Sequence, residues 1–194
     1  MNHAFPCGTL ALDFLGTLRA RRNPVPAEKL GTPALLDDWF VESGMLDGAP
    51  GADEADLVAA LELRESVYAL VEARIAERPL DVDGDAIAVL NRHAAQAPVV
   101  VQLGPSGVRH SGSAAQGLAA IAREAAEILG GPDAALLREC GRPECTQVYL
   151  DRSRGHRREW CAMRTCGNRV KVSAYRSRHR DSGAGAAAPA SSRV

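Results

Sequence analysis

The chain has 194 residues, with 23 Lys+Arg, 24 Asp+Glu and 46% hydrophobic residues, which gives a formal net charge of −1. This apolar content excludes an intrinsically disordered chain. No apolar run approaches the roughly 18 residues that a membrane-spanning helix needs, and the first residues lack the pattern of a secretion signal. We therefore expect a cytoplasmic protein with no membrane partner, made of one domain of ordinary size and one small domain.

The net charge conceals two regions of opposite sign. Residues 1–137 carry 10 Lys+Arg and 19 Asp+Glu, whereas residues 138–180 carry 12 Lys+Arg and 4 Asp+Glu. A segment this basic is suited to a phosphate-rich partner, or to the acidic region of its own chain. Nearly all the basic residues are arginines, a bias that a GC-rich genome also produces. Their clustering is therefore more informative than their number.

The N-terminal region is predicted to be mainly helical. Helical spacing of apolar residues predicts a first helix over residues 10–22, although its alternating start equally fits a short strand. The pair Thr32-Pro33 is a typical helix start. We expect the helix that follows to bury Trp39 and Phe40 in the core.

The longest predicted helix spans residues 53–78, and another follows over residues 83–96. Arg64 and Tyr68 lie on one face of the longer helix. We expect Arg64 to reach solvent past the edge of the core, and a polar ligand pocket is the alternative. The candidate pocket consists of Asp13, Thr17, Arg64 and Tyr68.

The sequence pattern changes at Pro98, after the fourth predicted helix. Residues 99–110 predict one β-hairpin, because a β-branched run is followed by a glycine- and proline-rich turn. An alanine-rich helix is predicted over residues 113–129. The glycines and proline at 130–132 suggest a domain boundary. We predict a helical domain over residues 1–131, a small module over 132–180 and a disordered tail over 181–194.

Four of the five cysteines mark the small module. Cys140 and Cys145 form one C-x4-C pair, and Cys161 and Cys166 form a second pair after fifteen intervening residues. Four thiolates from two such pairs predict one structural zinc ion per chain, with no open position for catalysis. A disulfide framework, a redox pair and an iron–sulfur cluster are the alternatives, and they fit this spacing in a reducing compartment less well. Cys7 stands alone, as an inert buried thiol or a redox switch.

The predicted fold class is therefore α+β and mostly helical. A helical N-terminal domain with one β-hairpin is followed by a small module that resembles a zinc ribbon or a treble clef. In that module, residues 147–151 and 157–160 are expected to pair as a short hairpin, and a basic helix follows from Gly167. We expect Val172 and Tyr175 to pack on the zinc core. Asn168 is expected to cap the helix, and contact with an adenine is the alternative.

The sequence around the second cysteine pair carries a dense motif. It contains Trp160-Cys161, Met163, Cys166-Gly167-Asn168-Arg169 and Lys171, after Tyr149, Asp151, Ser153 and Arg157-Arg158. This pattern resembles the CGNR zinc-finger family, which is named for that tetrapeptide. Upstream, residues 12–17 resemble the LDFxNT motif of the ABATE domain that usually accompanies the finger, with Gly16 in place of asparagine. The resemblance implies a stress-induced transcription regulator that binds DNA.

The arginines of the module form the candidate nucleic-acid surface. The predicted contacts are Arg152, Arg154, Arg157, Arg158, Arg169, Lys171, Arg176, Arg178 and Arg180. Arginine forks can contact phosphates or guanine edges, and the contacts to the backbone set affinity without sequence information. For most of these arginines taken singly, a solvated surface charge is the better explanation, so the prediction depends on the cluster.

Other functions remain open at this stage. The sequence contains none of the common motifs of hydrolases, phosphate-binding loops or dinucleotide-binding folds, so we do not expect an enzyme. A zinc-stabilised module that binds RNA or an acidic protein is the alternative, with a small-molecule effector acting through the N-terminal domain. A homodimer is also open, and a DNA-binding chain would associate with the nucleoid.

Overall fold

The computed structural model describes residues 3–80 and 84–183. Six α-helices and three two-stranded antiparallel sheets make up this part of the chain, so the predicted α+β class is confirmed. The helices are α1 (Leu10–Leu15), α2 (Pro33–Glu42), α3 (Glu54–Ile75), α4 (Ala86–Ala94), α5 (Ala114–Gly130) and α6 (Asn168–Gly183). The paired strands are β1 (Leu18–Arg19) with β2 (Ala27–Glu28), β3 (Val100–Gly104) with β4 (Gly107–Ser111), and β5 (Leu137–Glu139) with β6 (Val148–Leu150).

Short polar motifs determine where the main helices begin. Asp53 and Asp56 form a reciprocal capping box at the start of α3, and Ser113 and Gln116 do the same for α5. The Thr32 side chain accepts a hydrogen bond from the backbone N–H of Leu35 at the start of α2. Each cap satisfies backbone N–H groups that the first helical turn leaves without partners. The predicted start of the fourth helix at residue 83 lies outside the described residues.

The core of the helical region is an aromatic cluster enclosed by aliphatic side chains. The rings of Phe14 and Trp39 pack edge to face with centroids 5.1 Å apart, and Trp39 meets Phe40 at 5.7 Å. All three side chains are buried, as predicted for Trp39 and Phe40. Helix α5 approaches this cluster closely at Gly117, where a Cβ atom would lie 2.9 Å from the Cδ1 atom of the Phe40 ring.

The predicted first helix is too long. Helix α1 ends at Leu15 and is followed by Gly16, and the chain then forms β1, which pairs with β2. The prolines at positions 24 and 26 lie in the loop between these strands and do not end the helix. A two-residue strand has too little periodicity to be recognised against a helical pattern, which explains the error.

The cysteine module packs on the helical region as part of one continuous hydrophobic cluster. Leu137, Val148 and Tyr149 of β5 and β6 are buried in that cluster with the core residues of α1 and α3. Gly16 makes the approach of α1 possible, because a Cβ atom there would lie 2.6 Å from Nε2 of Gln147. Arg22 adds an ion pair with Glu139 across the same junction.

The hairpin predicted within the cysteine module is wrong. Strand β6 pairs with β5, upstream of the first cysteine pair, and residues 157–160 form no strand. The buried carboxylate of Asp151 explains this, because it accepts hydrogen bonds from the backbone N–H groups of Ser153 and Arg158. These contacts hold the returning segment through a side chain instead of a backbone ladder.

Helix α6 extends beyond the module, and Val172 and Tyr175 do not pack inward as predicted. Val172 is 47% exposed and Tyr175 is 58% exposed. The prediction fails because, within the described residues, α6 packs mainly on the π-helical turn at Met163–Gly167, which directly precedes it. Because α6 continues directly from this turn, Asn168 lies within a helical stretch and its side chain is exposed. Asn168 is therefore not the predicted cap.

Two further features of the described residues concern the sequence predictions. No helix among them is long and apolar enough to cross a membrane. Helix α6 continues to Gly183, and the rest of the predicted disordered tail lies outside the described residues.

Candidate metal centre and arginine surface

The four predicted cysteine ligands meet at one point. The sulfur atoms of Cys140, Cys145, Cys161 and Cys166 all lie within 4.8 Å of one another, and all four residues are buried. The Sγ atom of Cys161 is 3.9 Å from that of Cys145 and 3.6 Å from that of Cys166. A tetrahedral zinc site with bonds of about 2.3 Å requires sulfur atoms roughly 3.8 Å apart. The cysteines are free of disulfides, so this arrangement fits zinc.

The elements that bring the cysteines together are short. Cys140 follows β5, and its backbone N–H donates to the carbonyl of Gln147, while Cys145 closes a turn onto the carbonyl of Arg142. Cys161 precedes the π-helical turn and Cys166 lies within it. Trp160 packs between Gly141 and Gly167, where added Cβ atoms would come within 3.4 Å and 3.1 Å of its ring. The glycines therefore allow the indole to cover one side of the site.

The electrostatics of the cluster favour a bound cation. The pKa of Cys140 is lowered well below its ordinary value, mainly because the thiol of Cys145 donates a hydrogen bond to its sulfur. The same contact raises the pKa of Cys145 to about 12. Four sulfurs this close cannot all ionise without a positive charge between them, and a divalent metal ion supplies that charge.

Gln147 provides a further sign of a metal site. Its Oε1 atom lies 3.4 Å from Sγ of Cys161, and its buried Nε2 atom has no hydrogen-bond partner among the described residues. Rotation of the amide by 180° exchanges these two atoms and presents an N–H donor to the sulfur. A metal-bound thiolate accepts such a donor, whereas a neutral thiol does not need it.

Beside the cysteines, three arginines line an exposed groove along the π-helical turn and α6. This arginine groove has a volume of about 470 Å³ and consists of Arg164, Thr165, Asn168, Arg169, Val172, Ser173 and Arg176. Its arginines are exposed, and no ion pair with a carboxylate occupies them in the described part of the chain. The described part of the acidic N-terminal region therefore forms no ion pair with this surface.

With both sites described, the chain can be compared with known proteins. Residues 8–132 match ABATE, described as "Putative stress-induced transcription regulator". The chain belongs to the ABATE family. Residues 137–179 match the CGNR zinc finger, so the four cysteines are those of a known class of zinc module and the predicted family and cofactor are confirmed. No curated protein matches the chain significantly.

The predicted nucleic-acid contacts of the CGNR finger fall into three groups. Arg169 and Arg176 lie in the arginine groove, whereas Lys171 is exposed elsewhere on α6. Arg178 and Arg180 lie in α6, but their side chains are outside the described residues. The remaining four predicted contacts belong to the segment that precedes Trp160.

Arg158 has a structural role in that segment. Its Nε atom donates to the Trp160 carbonyl at 2.9 Å, and its Nη2 atom donates to the carbonyls of Cys161 and Pro6. Its guanidinium carbon also lies 4.3 Å from the centre of the Tyr149 ring. These contacts tie the N-terminal residues of the chain to the zinc site, so Arg158 has few donors left for a partner.

The other arginines of the segment are exposed. Arg154 and Arg157 are open to solvent. Arg152 forms an ion pair with Asp133 at 2.6 Å, with its side chain 60% exposed. An exposed pair of this kind is weak and can be exchanged for a phosphate contact.

Three of the four residues of the predicted N-terminal pocket belong to two hydrogen-bond networks in the ABATE region, and Tyr68 is the fourth. Arg64 is 3% exposed, so the expectation that it reaches solvent is wrong. Its Nη1 atom donates to Thr17 at 3.1 Å and to Glu28 at 2.7 Å. The hydroxyl of Tyr68 is buried with no hydrogen-bond partner among the described residues. Arg64 is thus fixed by protein groups, and a ligand at these positions stays a prediction.

Asp13 belongs to the second network, with Cys7. The backbone N–H of Cys7 donates to Oδ1 of Asp13 at 2.8 Å, and both residues are buried. Burial raises the pKa of Asp13 to about 6. Burial, together with the nearby Asp13 carboxylate, also raises the pKa of the Cys7 thiol well above its usual value. A thiol with a raised pKa is a poor nucleophile, which favours the inert reading of Cys7.

Sequence reasoning missed three residues that matter here. Arg164 was overlooked because the basic helix was assumed to begin at Gly167, although Arg164 and Asn168 have the i, i+4 spacing of one helical face. Glu28 and Gln147 carry no local signal. Their partners, Arg64 and Cys161, are 36 and 14 residues away.

Proposed function

We propose that this protein is a DNA-binding transcription regulator in which the zinc finger presents the arginine groove to the sugar–phosphate backbone of a duplex. The observation that carries the proposal is the groove itself, where three exposed arginines share one face of a helical segment and pair with no carboxylate of the described residues. It is a non-enzymatic role, and it implies a protein of the cytoplasm that associates with the nucleoid.

The spacing of the groove residues suits an extended anionic ligand. Arg169 and Arg176 are seven residues apart, which places them on one side of α6 and separates their Cα atoms by about 10 Å along the axis. Thr165, Asn168 and Ser173 add uncharged hydrogen-bonding groups between the arginines. A row of cationic and polar groups is typical of surfaces that follow a phosphate backbone. An exposed helix is also the element that most often enters the major groove.

The zinc site explains why this surface is ordered. Arg164 lies between two of the cysteine ligands, in the same turn as Cys166. A zinc ion bound by the four thiolates crosslinks that turn to the segment around Cys140 and Cys145. The position of the arginines would therefore depend on the metal, because a structural zinc site contributes directly to the folding of its module.

Arg152, Arg154 and Arg157 extend the same positive region. They precede Trp160, which covers the cysteines, and their side chains are exposed. We expect them to add phosphate contacts that raise affinity in a salt-dependent manner without selecting a sequence.

Single-stranded RNA is a second candidate ligand, favoured by one observation. Tyr175 and Val172 are exposed on α6 beside the arginines, with Tyr175 at 58% exposure. Aromatic side chains next to a basic surface can stack on unpaired bases, which duplex DNA does not offer. If RNA is a secondary ligand that stacks on Tyr175, replacement of Tyr175 by alanine should weaken RNA binding. Binding to duplex DNA should stay nearly unchanged, because a duplex offers no unpaired base.

The proposal is tested with charge variants of the zinc-loaded chain. Arg169→Gln and Arg176→Gln should each weaken binding to a mixed-sequence duplex by roughly tenfold at low salt, the effect of losing one hydrogen bond to a charged group. Arg109→Gln is the control, since Arg109 is an exposed arginine of β4, far along the chain from the finger. Equal affinities for all three variants and the wild type, measured by fluorescence anisotropy, would disprove the proposed surface.

A further inference from the structure

A second basic site lies where the ABATE region meets the finger. An open cavity of about 510 Å³ lies between the C-terminal end of α3 and the segment that leads into β5. Arg74 and Arg78 line it from α3 and the residues just after it, and Arg138 lines it from β5. Glu77 is the one acidic residue of the lining. The volume falls in the range of small-molecule sites.

Two of these arginines differ from most of the arginines around them. Arg21, Arg64 and Arg92 each form an ion pair with a glutamate. Arg74 instead donates through Nε to the carbonyl of Leu129 at 3.0 Å. Among the described residues it has no carboxylate partner, so its two Nη groups keep their hydrogen-bonding capacity.

Arg138 is held in the same way from the other side of the cavity. Its Nη1 atom donates to the carbonyls of Ala135 and Leu137, at 3.0 Å and 2.7 Å. No carboxylate in the described part of the chain pairs with it either. Two guanidinium groups that are fixed by carbonyls, and that keep further N–H donors, form a preorganised site for an anion.

The C-terminal end of α3 repels an anion less strongly than a helix end whose last carbonyl groups have no hydrogen-bond donors. The backbone N–H groups of Glu77 and Arg78 donate to the carbonyls of Arg74 and Ala73, at 3.1 Å and 2.8 Å. Glu77 adopts a φ of 53° to complete this cap. Because these carbonyls are already hydrogen-bonded, their partial negative charge is less available to repel an anion.

The rest of the lining is apolar. Ile75, Pro79, Ala134 and Leu137 contribute to the walls, and Leu137 is buried in the core. A ligand that satisfies both parts of this cavity carries one anionic group for the arginines and one apolar portion for the walls.

We propose that this cavity binds a small organic anion, a phosphate monoester or a carboxylate with an apolar portion. Arg74 and Arg138 bind the charged group, and the apolar walls contact the remainder. Because one arginine comes from α3 and the other from the strand that leads into the finger, the ligand bridges the two regions. The proposal does not depend on DNA binding by the finger.

The test is an isothermal titration calorimetry experiment at low salt, in which the zinc-loaded full chain is titrated separately with phenyl phosphate, benzoate and inorganic phosphate. Phenyl phosphate or benzoate should bind saturably at one site per chain, and the better of the two identifies the anionic group. Inorganic phosphate should bind more weakly because it has no apolar portion. Arg74→Gln and Arg138→Gln should weaken binding by about tenfold or more. Arg123→Gln is the control, because Arg123 also donates to a carbonyl but lies outside the cavity lining.

A matched pair at one exposed position keeps the test valid if an arginine variant unfolds. Ala135 lines the cavity and its side chain is exposed. Ala135→Glu and Ala135→Gln add side chains of the same size, and only the glutamate adds a negative charge. We expect Ala135→Glu to abolish binding and Ala135→Gln to retain it within about threefold. Absence of saturable binding by all three probes, equal binding by both Ala135 variants, or loss of binding through Arg169→Gln would overturn the proposal.

Discussion

The pair formed by Arg64 and Glu28 offers a sharp test of the ABATE core, because its two partners differ in burial. The Arg64 side chain is 3% exposed and that of Glu28 is 34% exposed. The guanidinium donates to both carboxylate oxygens, at 2.7 Å and 2.6 Å, and also to Thr17 and Glu65. Replacement of Arg64 by alanine removes all four contacts and leaves a cavity beside a carboxylate that keeps only backbone hydrogen bonds from Lys29 and Leu30 among those of the described residues.

The expected effect follows from these exposures. Removal of one partner from a fully buried pair costs about 3–5 kcal/mol, whereas an exposed pair contributes about 0–1 kcal/mol. Glu28 is one-third exposed, so water can rehydrate part of the abandoned carboxylate, and we expect Arg64→Ala to cost about 2–4 kcal/mol. Arg92 and Glu62 form a control pair with the same 2.6 Å contact and side chains 55% and 47% exposed. Arg92→Ala should cost less than about 1 kcal/mol.

Urea unfolding of the zinc-loaded chain at pH 7, followed by circular dichroism, measures both free energies. Burial would raise the pKa of Glu28, but hydrogen bonds from Arg64 and from backbone N–H groups outweigh it and lower the pKa below 4.5. A lowered pKa stabilises the fold above pH 4.5, and this contribution is lost as the pH falls through the folded value. The difference between wild type and Arg64→Ala should therefore narrow in acid. Equal losses of stability for Arg64→Ala and Arg92→Ala would refute the reasoning.

Three further predictions concern the packing of α5, a buried acid and the metal site. Gly117→Ala should lower the thermal midpoint, because overpacking against the buried Phe40 ring costs about 1–3 kcal/mol and offsets a helix-propensity gain of about 1 kcal/mol; a raised midpoint would contradict this. The raised pKa of Asp13, about 6 in the fold, favours folding below pH 3.8 and loses that effect as the pH rises through 6. Urea titrations should therefore show wild type losing up to about 3 kcal/mol relative to Asp13→Asn between pH 4 and pH 7, and parallel pH profiles would exclude the shift. Gln147→Leu should weaken zinc retention against a chelator by about tenfold or more, since it removes the amide beside Cys161; unchanged retention would mean that the amide has no role at the metal.

The features that were predictable from the sequence are those with local signals. The cysteine spacing identified the metal ligands, because four thiolates close one tetrahedron and few other structures need that pattern. Thr32-Pro33 marked the start of α2, since the cap and the first-turn proline are adjacent in the chain. The hairpin of β3 and β4 was likewise visible, because its turn and both of its strands lie within twelve residues, Val100 to Ser111.

The features that were not predictable depend on partners that are distant in the chain, or on whether a helix face has a second element to pack against. Arg64 was expected to reach solvent because nothing near it in sequence indicates Glu28, its partner from β2. Strand β5 pairs with β6 across the segment that contains the first cysteine pair. The pairing therefore depends on how that segment folds, which neither strand indicates by itself. Val172 was expected to be buried because of its size, but burial of a helix face requires a second element, and within the described residues α6 packs mainly on the turn that precedes it.

The central claim is that zinc orders an arginine surface that binds duplex DNA, and a salt series on the zinc-loaded chain tests it most directly. Contact with about five phosphates predicts a slope of log affinity against log salt of roughly −4 to −5. The double variant Arg169→Gln/Arg176→Gln should reduce the magnitude of this slope by about 2, and a chelator should abolish binding. An absence of binding at low salt, or binding with the same slope after the metal is removed, would contradict the account.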